Sequence, residues 1–164
     1  MRLFCEGLHR LLKVILTLLM ALLIVPVTMQ ILSRYTGIVP RYIWTEEIAR
    51  LCFVWIIMVG AMIAVRDWTH FEVDLLPQSS NPAIALTMRL VPIAAVGIAA
   101  ITFIYFGWDF AKLGMRQVSE ISGLPMLYIY GAWPLAGVIW MIFIAEKVGE
   151  AFNAYNMEKR SGTG

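Results

Sequence analysis

Charge is what this sequence has least of. Thirteen Lys and Arg with eleven Asp and Glu leave only 15% of its 164 residues charged, and just two His are present. A soluble domain carries about 25% charged residues, so the chain has too little polar surface to face water on all sides, and a soluble enzyme is excluded. The net charge of +2, with no basic cluster to concentrate it, excludes electrostatic nucleic-acid binding. The two cysteines, Cys5 and Cys52, lack metal-type or redox-type spacing and are read as packing residues, toward opposite membrane faces where they cannot pair. The sequence holds no P-loop and no G-x-S-x-G. Nor does it pair Cys or Ser with His in a plausible common site, so it offers no enzyme and no cofactor.

What is present is apolar: 60% of the residues are AVILMFWYC and the mean hydropathy is +0.77. Disorder requires the opposite composition. Charge-free runs segment the chain: Val14–Ser33 is 20 residues, Leu51–Val65 is 15, Leu90–Trp108 is 19 and Ile121–Ala145 is 25. Crossing about 30 Å of hydrocarbon takes about 20 helical residues at about 1.5 Å each. The second run reaches only about 22 Å at that rise and spans only if its helix starts earlier, near Ile43 or Trp44. That start carries Glu46, Glu47 and Arg50 into the first turns. The expected fold is an all-α integral membrane protein, a single membrane domain over residues 1–164, with spans near 13–34, 44–66, 88–111 and 124–147.

The first run follows Arg2, Arg10 and Lys13, as a signal peptide would. It is longer than an ordinary h-region and has no small-residue cleavage site, which makes it a retained helix. Residues 3–12 mix Leu3, Phe4, Leu8, Leu11 and Leu12 with Glu6, His9 and Arg10, the pattern of an amphipathic segment lying in the interface before the chain turns in. Four spans put both termini on one side. With the termini in the cytoplasm, the inner segments hold eight Lys or Arg and the outer ones five, which favours that orientation. Tyr35, Tyr42, Trp44 and Trp108 then form an outer aromatic belt, with Trp68 and Tyr155 near the inner one. Pro125 suits an early position of the fourth helix.

Ionisable groups at bilayer depth are the first functional candidates in a membrane protein, and the middles of all four spans have none. That argues against an autonomous pump or exchanger. The exceptions sit at the outer start of the second span, where Glu46, Glu47 and Arg50 share a helix face by their i,i+4 and i,i+3 spacing. They form either a helix-end ion pair at headgroup level or a polar contact to a partner protein, since lipid is a poor neighbour for them. Residues 66–74 gather Arg66, Asp67, His70, Glu72 and Asp74. One nitrogen ligand is too few for a metal site, so this is a solvated loop or a partner contact. His9 and His70 lie outside the spans, unsuited to a haem held at mid-membrane. Small residues, among them Gly60, Ala61, Ala136 and Gly137, permit close helix approach. On these residues alone, a four-helix exporter working as a homo-oligomer and a membrane anchor of a redox complex both stay open.

The ordered set Arg34, Trp44-Thr-Glu46-Glu47-Ile-Ala-Arg50, Trp55, Gly60-Ala61, Arg66, His70 and Val73-Asp74 resembles the small membrane subunit of the tripartite ATP-independent periplasmic (TRAP) transporters, the DctQ-like family. Leu124-Pro125, Tyr130 and Pro134-Leu-Ala-Gly137 resemble its last helix. The resemblance covers nearly the whole chain, with its specificity mainly in residues 34–74. It implies a scaffold in the bacterial inner membrane that binds a large membrane subunit, in a system where a periplasmic binding protein captures a solute, typically an organic acid, and a sodium gradient drives uptake. Arg34, Trp44, Glu46, Glu47, Arg50, Trp55, Arg66, His70 and Asp74 are then candidates for the partner interface, and Gly60, Ala61, Pro134 and Gly137 for helix packing. Membrane lipid is the remaining neighbour.

Overall fold

A computed structural model of the chain describes residues 2–35, 42–67, 82–120 and 123–161. Lipid cannot hydrogen-bond a backbone, so long apolar segments must satisfy their own N–H and C=O groups as helices. The described residues form α1 (Arg2–Tyr35), α2 (Ile43–Asp67), α3 (Pro82–Arg116), the single turn α4 (Leu127–Tyr130) and α5 (Ala132–Ser161). Four stretches are long and apolar enough to cross a membrane: Leu3–Tyr35, Ile43–Asp67, Leu90–Arg116 and Leu127–Asn153. The chain is an all-α, four-span membrane protein.

Two features depart from the sequence-based expectation. The amphipathic segment 3–12 is no separate interfacial helix, because α1 runs unbroken from Arg2 to Tyr35. Its Cys5, His9 and Leu12 are buried, so the segment continues the span as a packed extension. Pro125 lies just before the last helical stretch, in a short bridge with Val118. Backbone bonds Ser119 N–Leu124 O (2.9 Å), Gly123 N–Ser119 O (3.0 Å) and Met126 N–Gln117 O (3.0 Å) close the α3–α4 connection into a compact turn. Gly123, at φ 69°, supplies the left-handed residue. The interruption at Gly131 also has a local cause. Pro134 has no N–H to return to the Tyr130 carbonyl, so the helical ladder is cut there.

The helices are arranged as two sequence-adjacent hairpins. α1 packs on α2, α3 packs on α5 and α4, and the hairpins meet chiefly where α2 touches α5. The order across the structure is α1, α2, α5, α3, a row more than a closed bundle. Its core runs along the α2–α5 seam and into α3: Val59, Met62 and Phe143 are almost fully enclosed, with Ala100, Ala136 and Trp140 around them. Phe103 rests on Trp140 at 4.8 Å and on Trp133 at 5.2 Å between ring centroids.

The α3–α5 contact is backbone to backbone. A Cβ built on Gly137 would lie 2.8 Å from the Ala100 carbonyl oxygen and 2.8 Å from Ile104 Cγ1. Gly107 and Gly114, seven residues apart on α3, meet Pro134 and Leu127 in the same way, each at 2.8 Å from a backbone nitrogen. Gly60 differs, since nothing lies within 4 Å of its would-be Cβ. Gly137→Ala should therefore cost about 1–3 kcal/mol by overpacking, read as a lowered thermal midpoint in detergent. Gly60→Ala should be neutral or slightly stabilising, since Ala is the better helix former. Identical midpoints for the two variants would contradict the close approach.

Candidate functional site

Polar chemistry sits at the two ends of the helix row. At the end where α2 begins, the Thr45 hydroxyl donates to the Tyr42 carbonyl at 2.7 Å and fixes the helix start. Glu46 in the first turn complements the positive end of the helix dipole. Glu46 and Arg50 pair at 3.6 Å with side chains 72% and 61% exposed, a geometry in which solvent leaves the pair about 0–1 kcal/mol. Glu47, one residue on, is turned inward and buried. All three border a cleft of about 470 Å³ whose other walls include Gln117, Ser119 and Met126 from the α3–α4 turn. The cleft thus brings together residues some seventy positions apart in the chain.

The neighbouring candidates lie around the same end. Arg34 is in the last turn of α1 and exposed. Trp44 is exposed and leans on Tyr42 with ring centroids 6.0 Å apart. Trp55 faces inward across the seam, its indole N–H donating to the Tyr128 carbonyl at 2.8 Å. That bond ties α2 to α4 and gives Trp55 a partner within the chain. On α3, Lys112 pairs with Asp109 at 3.3 Å and lies 5.9 Å from the Trp108 ring centre.

The end bearing the termini holds a denser network that motif reading did not assemble. Arg66 of α2 faces Glu146 of α5 at 3.6 Å, with side chains only 18% and 9% exposed, and its guanidinium lies 5.9 Å from the centre of the Phe143 ring. Next to it, Asp67 takes His9 at 3.0 Å and Lys13 at 3.7 Å, both from α1. Cys5 is buried beside Glu146. Three helices are thus tied by charge at one level. The signal was present, because Arg66 and Glu146 each flank a charge-free run on the same side. His70 and Asp74 lie outside the described residues. Among the described residues every ion pair belongs to one end or the other.

The spans themselves bury little. Only 11–33% of the most apolar 18-residue window of each span is fully buried in the chain, and large apolar side chains such as Leu18, Ile24, Ile98, Ile101 and Phe106 are exposed. The arrangement can brace a neighbour and hold a fixed depth in a bilayer. Among the described residues its ion pairs lie at the two ends and not between them.

Comparison with known proteins gives the same direction. The family model of the DctQ component of tripartite ATP-independent periplasmic transporters matches residues 23–154. A Haemophilus influenzae protein named as a TRAP transporter small permease is 26% identical over 139 residues, covering 85% of this chain and 86% of that one. The sialic acid TRAP transporter small permease protein SiaQ of Vibrio cholerae is 26% identical over 134 residues, 79% of this chain and 75% of its own length. The sialic acid TRAP transporter permease protein SiaT of Haemophilus influenzae is 30% identical over 112 residues, 68% of this chain but only 18% of that longer protein.

The two ends predict different costs. Glu146→Gln leaves Arg66 facing a neutral partner in a mostly enclosed site and should cost about 3 kcal/mol, whereas Glu46→Gln should cost less than about 1 kcal/mol. Thermal unfolding of both variants in one detergent checks this, and a Glu46→Gln midpoint as low as that of Glu146→Gln would refute it.

Proposed function

We infer the role of this chain from the family to which it belongs, the DctQ components of the tripartite ATP-independent periplasmic transporters. It is a multi-pass protein of the bacterial inner membrane and part of a transporter, not an enzyme. Its function is that of the small membrane subunit: it binds a large membrane subunit and gives the moving part of that partner a fixed wall. Uptake is driven by sodium through the partner and fed by a periplasmic binding protein. The cargo is a solute of the organic-acid class, to which the sialic acid named for two of its relatives belongs.

The observation that carries this reading is the distribution of charge. Ion pairs at the two ends, and apolar side chains turned outward between them, suit a scaffold better than a conduit, because substrate and ion sites need polar groups at mid-membrane. The termini face the cytoplasm, in accord with the excess of Lys and Arg on that side. Glu46, Glu47 and Arg50, with Arg34 and Trp44 beside them, then stand at the periplasmic face and contact the partner there. Arg66, His70 and Asp74 are the candidates at the opposite face. Gly60 and Ala61 offer the partner a flat approach midway along α2.

Two measurements test this. Affinity purification of the tagged chain from its native membrane in mild detergent should bring down a stoichiometric protein with many spans. A clean homo-oligomer under several detergents would instead point to an autonomous exporter. Glu47→Ala and Arg50→Ala, made singly, should lower co-purification and solute uptake in parallel, and normal assembly and transport in both would remove these residues from the interface.

A further inference from the structure

A second cleft, of about 480 Å³, opens between the last turns of α1 and the first turns of α2. Its walls grade from apolar to polar along the bilayer normal. Val27 lines the deepest part, Gln30 and Ile31 stand about one turn nearer the end of α1, and Ser33 and Arg34 lie at that end, with Glu46 across from them. Gln30 Nε2 and Ser33 Oγ are enclosed and have no hydrogen-bond partner. An enclosed donor left unmade costs about 1–3 kcal/mol, so two in one cleft wall are groups that await an acceptor. Arg34 is exposed in the same wall, and among the described residues no acid lies within ion-pair distance of it. The acid across the cleft, Glu46, is paired with Arg50.

We propose that this cleft binds one phospholipid, its phosphate held by Arg34 and Ser33, its ester carbonyl by the Gln30 amide, and an acyl chain along Val27 and Ile31. Each part follows from depth and chemistry. Arg34 closes the charge-free run of α1 at the headgroup level, beside Tyr35 and Tyr42, where aromatic rings mark the boundary between hydrocarbon and water. A guanidinium presents paired N–H donors that match two phosphate oxygens. Gln30 is one helical turn deeper, about 6 Å along the axis, within reach of the glycerol esters of the same molecule. Below that level only hydrocarbon suits Val27, and Ile31 adds apolar surface beside Gln30. A soluble anion would satisfy Arg34 and leave the apolar floor of the cleft wet, and a second apolar helix would leave all three polar groups unmatched. The lipid seals the seam between α1 and α2 at the end where these helices diverge toward their connection. This inference does not depend on which protein the chain assembles with.

The test uses the chain purified with whatever partners it carries, placed in nanodiscs of phosphatidylethanolamine and phosphatidylglycerol, and released into native mass spectrometry. The wild type should retain one phospholipid per chain. Arg34→Gln should lower the retained fraction by about tenfold, the loss expected for a charge-assisted hydrogen bond, and Arg34→Lys by less. Lys112→Gln, which removes a cation from the same end of the molecule, should leave retention unchanged. The double variant Gln30→Leu with Ser33→Ala keeps Arg34 and should also shed lipid, which carries the test if Arg34→Gln does not fold. Equal retention in wild type and both groove variants would overturn the proposal. So would equal loss in Lys112→Gln, or a wild type that retains no phospholipid. Lipid loss in the Gln30→Leu with Ser33→Ala variant, with partner binding intact, separates this site from the scaffold role.

Discussion

The structure depends on the seam between α2 and α5. Each hairpin is held by its own long contact, but the hairpins are joined to each other chiefly along this line. Its middle is apolar, built from Val59, Met62, Phe143 and Ile144. In a bilayer such side chains gain little by leaving lipid, because lipid tails are equally apolar. Specific association therefore falls to the two ends, where Trp55 reaches the Tyr128 carbonyl and Arg66 faces Glu146 over the Phe143 ring. Polar contacts fix the register and close packing fills the space between them. The charge-poor composition makes those few contacts more consequential than their number suggests.

Span number, the early start of α2 and the confinement of charge to span ends could all be read from the sequence, because each follows from hydropathy and length alone. A 15-residue charge-free run cannot cross a bilayer, so the second helix had to take in Glu46, Glu47 and Arg50. The row order of the helices could not be read, since it depends on which faces meet, and membrane helices lack the apolar stripe that marks the buried side of a soluble one. Gly107 and Gly114 show this well. Their spacing puts them on one face of α3, yet only the proximity of Pro134 and Leu127 distinguishes them from Gly60, which faces open space. The continuity of α1 was missed for a similar reason. An amphipathic run looks the same whether its polar side faces water or, as with His9, an acid on another helix.

The two ends of the row differ in kind. At the end bearing the termini, Asp67 holds His9 and Lys13 of α1 while Arg66 faces Glu146 of α5, so polar contacts link three helices among the described residues. The other end is open. Glu46 and Arg50 satisfy each other at the surface, two clefts flank them, and the α3–α4 turn forms a wall of one. A subunit braced by ion pairs at one end and opened by two clefts at the other offers its neighbours two different kinds of surface.

The hairpin arrangement also bears on how the protein comes to exist. Both hairpins are made of neighbours in sequence, so α1 and α2 can pair as soon as residues up to Asp67 have entered the bilayer, well before α5 is synthesised. Local pairing of this kind is fast, and long-range contacts close last. The α2–α5 seam is the long-range step, and it unites two units whose helices are hydrogen-bonded within themselves. A chain impaired only at the seam would therefore insert fully, span four times and show the helix content of the native protein, while its halves drift apart in the plane of the membrane. For this fold, maturation is a meeting of two inserted pieces, and an assay of secondary structure would not register its failure.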